Sequence, residues 1–143
     1  MKKIAIIIAS HQGLAQALTI HRELPETELF YAGEGQENPG TSIDSIPAFV
    51  AANFTRYEGL VFIGALGICV RAIAPCIHSK YTDPAVVNID STGKHVISVL
   101  SGHVGGANEL TRRLASILGA DPVITTQSDN NDLWALDTIH ERF

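Results

Sequence analysis

Cysteine is scarce in this sequence, and so are charged residues and long apolar runs. The two cysteines, Cys69 and Cys76, lie seven residues apart and outside any CxxC pattern, so neither a disulfide framework nor a structural zinc site is expected. We expect both to be small buried hydrophobes, with a nucleophilic role for Cys69 left open. The apolar run at residues 4–9 is too short to cross a membrane and no signal-peptide cleavage region follows it, which predicts a cytoplasmic location without membrane binding.

Charged residues make up only 17% of the chain, and the net charge of −5 argues against nucleic-acid binding. The basic residues are nevertheless concentrated in the middle of the sequence, where residues 71–113 carry five lysines and arginines against three acids. The five are Arg71, Lys80, Lys94, Arg112 and Arg113. We therefore expect an anionic small molecule to bind the central third, although a solvated helix face is the preferred interpretation of Arg112 and Arg113.

The remaining composition is that of one folded domain. The 143 residues are 45% hydrophobic, which suffices to bury a core, and no internal repeat divides them. Apolar runs predict strands, and apolar residues at helical spacing predict the helices between them. The predicted strands cover residues 3–9, 28–31, 59–63, 85–89, 95–100 and 123–126. The predicted helices begin after Gly13, near Ser45, after Gly67 and near Asn108, and a short one is predicted at residues 133–139.

This order of elements predicts the α/β class, with a three-layer sandwich around a mixed, mostly parallel sheet. Residues 90–93, Asp-Ser-Thr-Gly, separate two strand-like runs, and their length and terminal glycine predict one antiparallel hairpin. Residues 33–41 are expected to form a polar loop without periodicity. We expect residues 1–143 to be a single domain.

The most informative stretch is Ser101-Gly102-His103-Val104-Gly105-Gly106-Ala107-Asn108, here called the glycine loop, between a predicted strand and a predicted helix. Its glycines let the backbone approach a ligand closely, and the helix offers unpaired N–H groups and a positive dipole end. These features predict an anion or oxyanion site, with His103 able to move a proton near neutral pH. A tight strand-to-helix connection with a polar histidine is the alternative.

A second glycine turn, Gly64-Ala65-Leu66-Gly67, follows the strand at residues 59–63 and precedes the helix that carries Arg71. Because the carboxyl ends of parallel strands form the ligand crevice, we expect the turns after residues 9, 63 and 100 to converge. Convergence would bring His11, the second glycine turn, Arg71 and His103 together. Neither turn matches the P-loop or the dinucleotide fingerprint, and the glycine loop is not a nucleophile elbow.

Four stretches of the sequence form a linked set of motifs, at residues 64–75, 80–86, 100–110 and 122–129. Together they resemble the cobalamin biosynthesis protein G (CbiG) family, the cobalt-precorrin-5A hydrolases. The resemblance runs in order over residues 59–130 and more weakly over the first strand and helix. The sequence departs from the family pattern at Asp90-Ser91 and Gln127-Ser128, and neither departure removes a matched His, Arg or Gly. Similar proteins usually continue into a carboxyl-terminal domain, which we expect to be absent here.

The resemblance implies an enzyme of the anaerobic route to cobalamin whose substrate is a cobalt-tetrapyrrole. Such hydrolases open the δ-lactone of cobalt-precorrin-5A and release the methylated meso carbon as acetaldehyde, giving cobalt-precorrin-5B. The cobalt belongs to the substrate, and axial ligation of it by His11 or His103 is left open. No protein-bound cofactor or metal site is expected, since the six histidines show no metal-binding spacing.

Chemical reasoning assigns candidate roles to the matched residues. The catalytic candidates are His103 as general base or acid, Ser101 as a nucleophile that needs an independent base, Glu109 and Asp129. Glu109 is expected either to orient His103 or to cap the helix, and capping is preferred. The substrate-binding candidates are Gly102, Gly105 and Gly106 as oxyanion donors, Arg71 and Lys80 as carboxylate partners, and Gly64, Gly67, Asn108 and His11.

Two other functions remain open on the sequence. The chain also fits a non-catalytic domain that holds a corrinoid intermediate, or that docks a carboxyl-terminal domain or a neighbouring enzyme of the corrin pathway. A small α/β phosphate-binding module is a further alternative, which rests on the glycine turns alone. The sequence is compatible with a homodimer and does not determine the oligomeric state.

Overall fold

The computed structural model describes residues 3–33 and 39–126, which fold into a seven-stranded sheet with helices on both faces. The strands are β1 Ile4–Ile8, β2 Thr27–Ala32, β3 Thr41–Ile43, β4 Gly59–Ile63, β5 Ala85–Ile89, β6 His95–Leu100 and β7 Asp121–Val123. The α-helices are α1 Leu14–Glu23, α2 Ile46–Asn53, α3 Leu66–Ile73 and α4 Ala107–Leu118. Short 3-10 turns precede α1 at His11–Gly13 and follow α3 at Ala74–Cys76.

The sheet is mixed and mostly parallel, as the sequence predicts. Its strand order is β3-β2-β1-β4-β5-β6-β7, and β1 to β5 run in one direction. β6 is antiparallel to β5 and β7 is parallel to β6, so the last two strands run the opposite way. We call the edge beyond Ile8, Ile63 and Ile89 the upper edge, and the edge beyond Leu100 and Val123 the lower edge. β1 to β5 end at the upper edge, whereas β6 and β7 end at the lower edge.

Helices cover both faces because the central strands are apolar on both. β1, β4 and β5 are buried along their whole length, as expected of strands covered on both sides. On one face Ile4 and Ile6 pack with α1 and α4, and on the other face Ala5 and Ile7 pack with α2 and α3. The predicted three-layer sandwich is therefore confirmed. None of the helices in the described residues is long and apolar enough to span a membrane.

One strand is absent from the sequence prediction and another is displaced. β3 begins at the last residue of the predicted loop, and its residues 41–43 pair with residues 30–32 of β2. β7 begins two residues before the predicted strand, since Asp121 pairs with His95 and Val123 pairs with Ile97. Pro122 has no N–H to donate, and it is tolerated because β7 is the outermost strand of the described sheet.

The turn between β5 and β6 is the predicted hairpin turn, and Asp90 stabilises it. Its carboxylate accepts hydrogen bonds from the backbone N–H groups of Lys94 at 3.0 Å, His95 at 2.6 Å and Thr92 at 3.2 Å. Gly93 has a φ of 73°, a left-handed conformation that favours glycine. Partial burial raises the pKa of Asp90, but the hydrogen bonds from Thr92, His95 and Lys94 outweigh burial and lower the pKa overall.

We expect Asp90→Asn to lower the free energy of unfolding at pH 7 by about 1 kcal/mol, because an amide offers one acceptor oxygen where the carboxylate offers two. The pKa of Asp90 is lowered in the folded state, so its stabilising effect is present above the ordinary value of 3.8 and is lost as the pH falls through the folded-state value. Urea unfolding of both proteins at neutral and at acidic pH measures the difference.

The exposed Asp44 provides the control, since no hydrogen bond to its carboxylate is seen in the described residues. Asp44→Asn should leave the free energy of unfolding unchanged at neutral pH. If the free energies of unfolding of the parent and of Asp90→Asn still differ at acidic pH, the stabilising role of the ionised carboxylate is contradicted.

Candidate functional site

The glycine loop lies at the lower edge, between the end of β6 and the start of α4. It folds back on the first turn of the helix, where the N–H of Ala107 donates to the carbonyl of Ser101 and that of Asn108 donates to the carbonyl of Gly102, both at 3.0 Å. Ser101 has a φ of 62°, and no other non-glycine residue in the described chain has a positive φ. Such backbone strain persists only where the surrounding contacts enforce it, and it is common at functional sites.

Each glycine of the loop has its own structural reason. A Cβ at Gly105 would overlap the Cβ of Ser101, and a Cβ at Gly102 would lie 2.8 Å from Cγ2 of Thr126. Gly106 is the N-cap of α4 and has a φ of 88°. The loop therefore packs closely against its own chain. This packing accounts for the glycines without a ligand and restrains the loop.

Asn108 connects the loop to two other segments. Its side chain is 3% exposed; Oδ1 accepts a hydrogen bond from the hydroxyl of Ser98 at 2.7 Å, and Nδ2 donates to the hydroxyl of Thr126 at 2.9 Å. The amide thus pairs with protein groups, so the structure gives Asn108 a positioning role in the loop. Ser98 and Thr126 are absent from the sequence-based candidates. The sequence feature that could have pointed to them is a hydroxyl side chain within an apolar strand or just after one.

Two backbone N–H groups of the loop remain as candidate donors for an oxyanion. The N–H of Gly106 donates to the carbonyl of His103 at 3.1 Å and is therefore already used. Within the described residues, the N–H groups of Gly102 and Gly105 have no hydrogen-bond partner. His103 lies between these two glycines in sequence and is half-buried. The predicted set of glycine donors is thereby reduced to Gly102 and Gly105.

A second loop, residues 77–84, adjoins the glycine loop. The carboxylate of Asp83 is buried and accepts hydrogen bonds from the N–H of His78 at 2.9 Å and of Ser79 at 3.1 Å. The carbonyl of Asp83 accepts a hydrogen bond from the hydroxyl of Ser101 at 3.4 Å. A carbonyl is not a general base, so this contact anchors Ser101 without activating it as a nucleophile. The contact also brings the loop that carries Lys80 beside the glycine loop.

The predicted convergence of the three turns is wrong. His11 and Gly64 follow β1 and β4 and lie at the upper edge, whereas His103 follows β6 and lies at the lower edge. The reversed direction of β6 is the reason. Because β5 spans the sheet between the two edges, they are separated by roughly 15 Å, the length of a five-residue strand.

Arg71 belongs to the lower edge although its helix begins at the upper edge. α3 follows β4 and runs back toward the start of β5, and Arg71 is exposed in its last turn. Gly67 is exposed in the first turn of α3, and the carbonyl of Gly64 accepts a hydrogen bond from the buried amide of Asn88 at 3.2 Å. His11, Gly64 and Gly67 therefore form a separate group from Arg71, Lys80 and the glycine loop.

Of the remaining sequence candidates, Glu109 and Cys69 lie within the described residues and Asp129 does not. Glu109 is half-buried in the first turn of α4, where a carboxylate interacts favourably with the helix dipole. The predicted helix at residues 133–139 also lies outside the described residues. Burial raises the pKa of the Cys69 thiol to about 12, which keeps it protonated at neutral pH and disfavours the nucleophilic role left open by the sequence. In residues 3–33 and 39–126, no three His, Cys, Asp or Glu side chains gather as metal ligands.

The chain matches the family model described as cobalamin synthesis G N-terminal over residues 48–129. It is similar to the cobalt-precorrin-5A hydrolase of Salmonella typhimurium, with 49% identity over 139 residues that cover 96% of this chain and 39% of the relative. It is also similar to the cobalt-precorrin-5A hydrolase of Priestia megaterium, with 41% identity over 145 residues that cover 97% of this chain and 39% of the relative. The chain thus spans about two fifths of the length of these curated relatives.

A crystal structure of a cobalamin biosynthesis protein G homologue from Sulfolobus solfataricus has a similar fold. The TM-score is 0.69 at 29% sequence identity, and the match covers 86% of this chain and 36% of that one. The glycine loop, the loop at residues 77–84 and α3 all fall within the family match at residues 48–129, as do Gly64 and Gly67, whereas His11 falls outside it.

We expect Gly105→Ala to lower the free energy of unfolding by about 2 kcal/mol, because the added methyl group forces the strained Ser101 backbone or the loop to move. Gly67→Ala is the matched control, since a Cβ there meets nothing within 4 Å and alanine favours a helix. Thermal unfolding measures the stability of both variants. A Gly105→Ala protein as stable as the control would contradict the close packing of the loop.

Proposed function

The chain belongs to the cobalamin synthesis G N-terminal family, and on that premise we propose that its lower edge catalyses the hydrolysis of cobalt-precorrin-5A. Two curated relatives carry the name of this hydrolase. Opening a lactone with release of acetaldehyde requires a base, donors for an oxyanion and partners for the carboxylates of the substrate. The lower edge offers a group of each kind.

The observation that supports this proposal most strongly is the arrangement of the glycine loop. His103 stands between Gly102 and Gly105 in sequence, the N–H groups of these two glycines have no partner in the described residues, and contacts of Asn108 and Ser101 restrain the backbone of the loop. Donors that are already in position stabilise developing negative charge without moving during the reaction. Donors preorganised in this way strongly accelerate the step in which the oxyanion forms.

In the first step, His103 accepts a proton from a water molecule whose oxygen attacks the carbonyl carbon of the lactone. The carbonyl oxygen becomes an oxyanion, which the N–H groups of Gly102 and Gly105 stabilise. When the intermediate collapses, the ring C–O bond breaks and the protonated His103 returns the proton to the leaving oxygen. One water is consumed, and the products are a carboxylic acid and a hydroxyl group on the methylated carbon.

In the second step, a base removes the proton of this hydroxyl group while the bond between its carbon and the macrocycle breaks. The electron pair of that bond passes to the macrocycle carbon, which is then protonated, and the fragment released is acetaldehyde. An imidazole can serve both transfers because it exchanges protons near neutral pH. The cobalt remains chelated in the macrocycle throughout and is part of the substrate.

Lys80 and Arg71 are proposed to bind the peripheral carboxylates of the substrate. Both are exposed near the lower edge, and a guanidinium can bind a carboxylate through two parallel hydrogen bonds. Neither side chain enters the bond-breaking steps. Their substitution should therefore act on substrate affinity more than on turnover.

We expect the 143-residue chain to release acetaldehyde from cobalt-precorrin-5A under anaerobic conditions. His103→Ala should lower kcat about a hundredfold or more, the usual effect of removing a general base. His95→Ala is the matched control, because His95 is exposed at the start of β6, at the upper edge, and should leave kcat unchanged. Trapping of acetaldehyde over time measures the rate.

Release that survives in His103→Ala would reject this residue as the base. If the chain alone releases no acetaldehyde, it should be mixed with the part of the Salmonella typhimurium relative that it does not span. Release in the mixture would support the proposal, with the lower edge as one part of a shared active site. No release from the mixture would reject hydrolysis and favour a domain that only holds the corrinoid.

A further inference from the structure

Exposed apolar side chains are concentrated on α3 and the loop that follows it. Within the described residues six large hydrophobic side chains are exposed, and five of them lie between residues 66 and 81. The five are Leu66, Ile68, Val70, Ile77 and Tyr81. The sixth, Leu18, lies on α1 in the opposite helical layer. Apolar side chains that gather in one exposed region indicate a binding surface.

Val70, Ile77 and Tyr81 form what we call the lower-edge platform. Val70 lies in the last turn of α3, and Ile77 directly follows the 3-10 turn that continues this helix. Ile77 is 48% exposed and Tyr81 is 62% exposed. The hydrogen bond from Ser101 to the carbonyl of Asp83 fixes their loop beside the glycine loop.

The segment that carries the platform contains positive groups and no acids. Residues 66–82 include no aspartate or glutamate, although the net charge of the chain is −5. Arg71 is exposed in the last turn of α3, and Nζ of Lys80 lies 5.4 Å from the centroid of the Tyr81 ring. The next acid along the chain, Asp83, is buried with its carboxylate on two backbone N–H groups, so it does not face solvent.

We propose that the lower-edge platform binds the face of a tetrapyrrole macrocycle whose carboxylate side chains reach Arg71 and Lys80. A tetrapyrrole is a flat apolar ring with carboxylates around its rim, which complements an apolar surface whose own segment carries cations and no acids. This inference rests on the proposed function and adds Ile77 and Tyr81 as binding residues that no catalytic step uses. Their burial supplies affinity, and the cations supply selectivity for carboxylates.

Two stable cobalt corrinoids separate the apolar contribution from the ionic one. The side chains of cobyrinic acid end in free carboxylates, whereas those of cobinamide are amides. Tyr81→Ala and Ile77→Ser should each raise the Kd of the 143-residue chain for both corrinoids, by about tenfold for the tyrosine. Lys80→Met should raise the Kd for cobyrinic acid alone and weaken its dependence on salt. Calorimetric titration measures each Kd.

Two control variants remove the same kinds of side chain at positions away from the lower-edge platform. Leu18→Ser removes an exposed apolar side chain from the opposite helical layer, and Lys94→Met removes an exposed lysine from the hairpin turn at the upper edge. Both should leave the Kd for either corrinoid unchanged. All the substituted side chains are exposed, so thermal unfolding should show that every variant is folded.

The platform would be refuted if the parent chain bound neither corrinoid, or if Ile77→Ser and Tyr81→Ala kept the parent Kd. An equal loss of affinity in Leu18→Ser would also refute it, because the binding would then be nonspecific. Acetaldehyde release is measured separately. Corrinoid binding that depends on the platform, without acetaldehyde release, supports the platform and rejects the proposed hydrolysis. Acetaldehyde release with a KM that Tyr81→Ala leaves unchanged supports the hydrolysis and rejects the platform.

Discussion

The antiparallel pairing of β5 with β6 decides where the candidate chemistry of this protein lies. Asp90 and Gly93 close the turn between the two strands, and β7 then adds parallel to β6. β6 therefore carries the glycine loop to the lower edge, where α3 ends and the loop at residues 77–84 begins. If β6 ran parallel to β5, His103 would lie beside His11 at the upper edge, and Lys80 would be left at the opposite end of the sheet.

Hydrogen bonds between segments that are distant in sequence keep the lower edge in one arrangement. Asn108 joins β6 through Ser98 to the chain beyond β7 through Thr126, and Asp83 joins the loop at residues 77–84 to Ser101. Asn108 and Asp83 are buried, where leaving a polar group unpaired costs more than in water. These contacts explain how Ser101 is kept at a positive φ. A loop restrained in this way suits fixed oxyanion donors better than a mobile one would.

The proposed substrate binding and the proposed chemistry have different structural supports at this edge. The N–H donors and His103 belong to the closely packed glycine loop, whereas Tyr81, Ile77 and the two cations are exposed side chains on α3 and the neighbouring loop. A change in an exposed side chain alters contact area or charge and leaves the backbone donors in place. The hydroxyl of Ser101 donates to the carbonyl of Asp83 and so directly links the two supports.

Features that depend on neighbours in the chain were determined by the sequence itself. Apolar runs predict β1, β4 and β5, the Asp90 turn predicts the hairpin, and the glycines mark the loop before α4, since periodicity and turn propensity are local properties. Only the tertiary structure decided which turns share an edge, because the direction of β6 reverses the position of everything after it. It also decided that Asn108 pairs with Ser98 and Thr126 and that Tyr81 is exposed, since both depend on how the whole sheet and its helices pack.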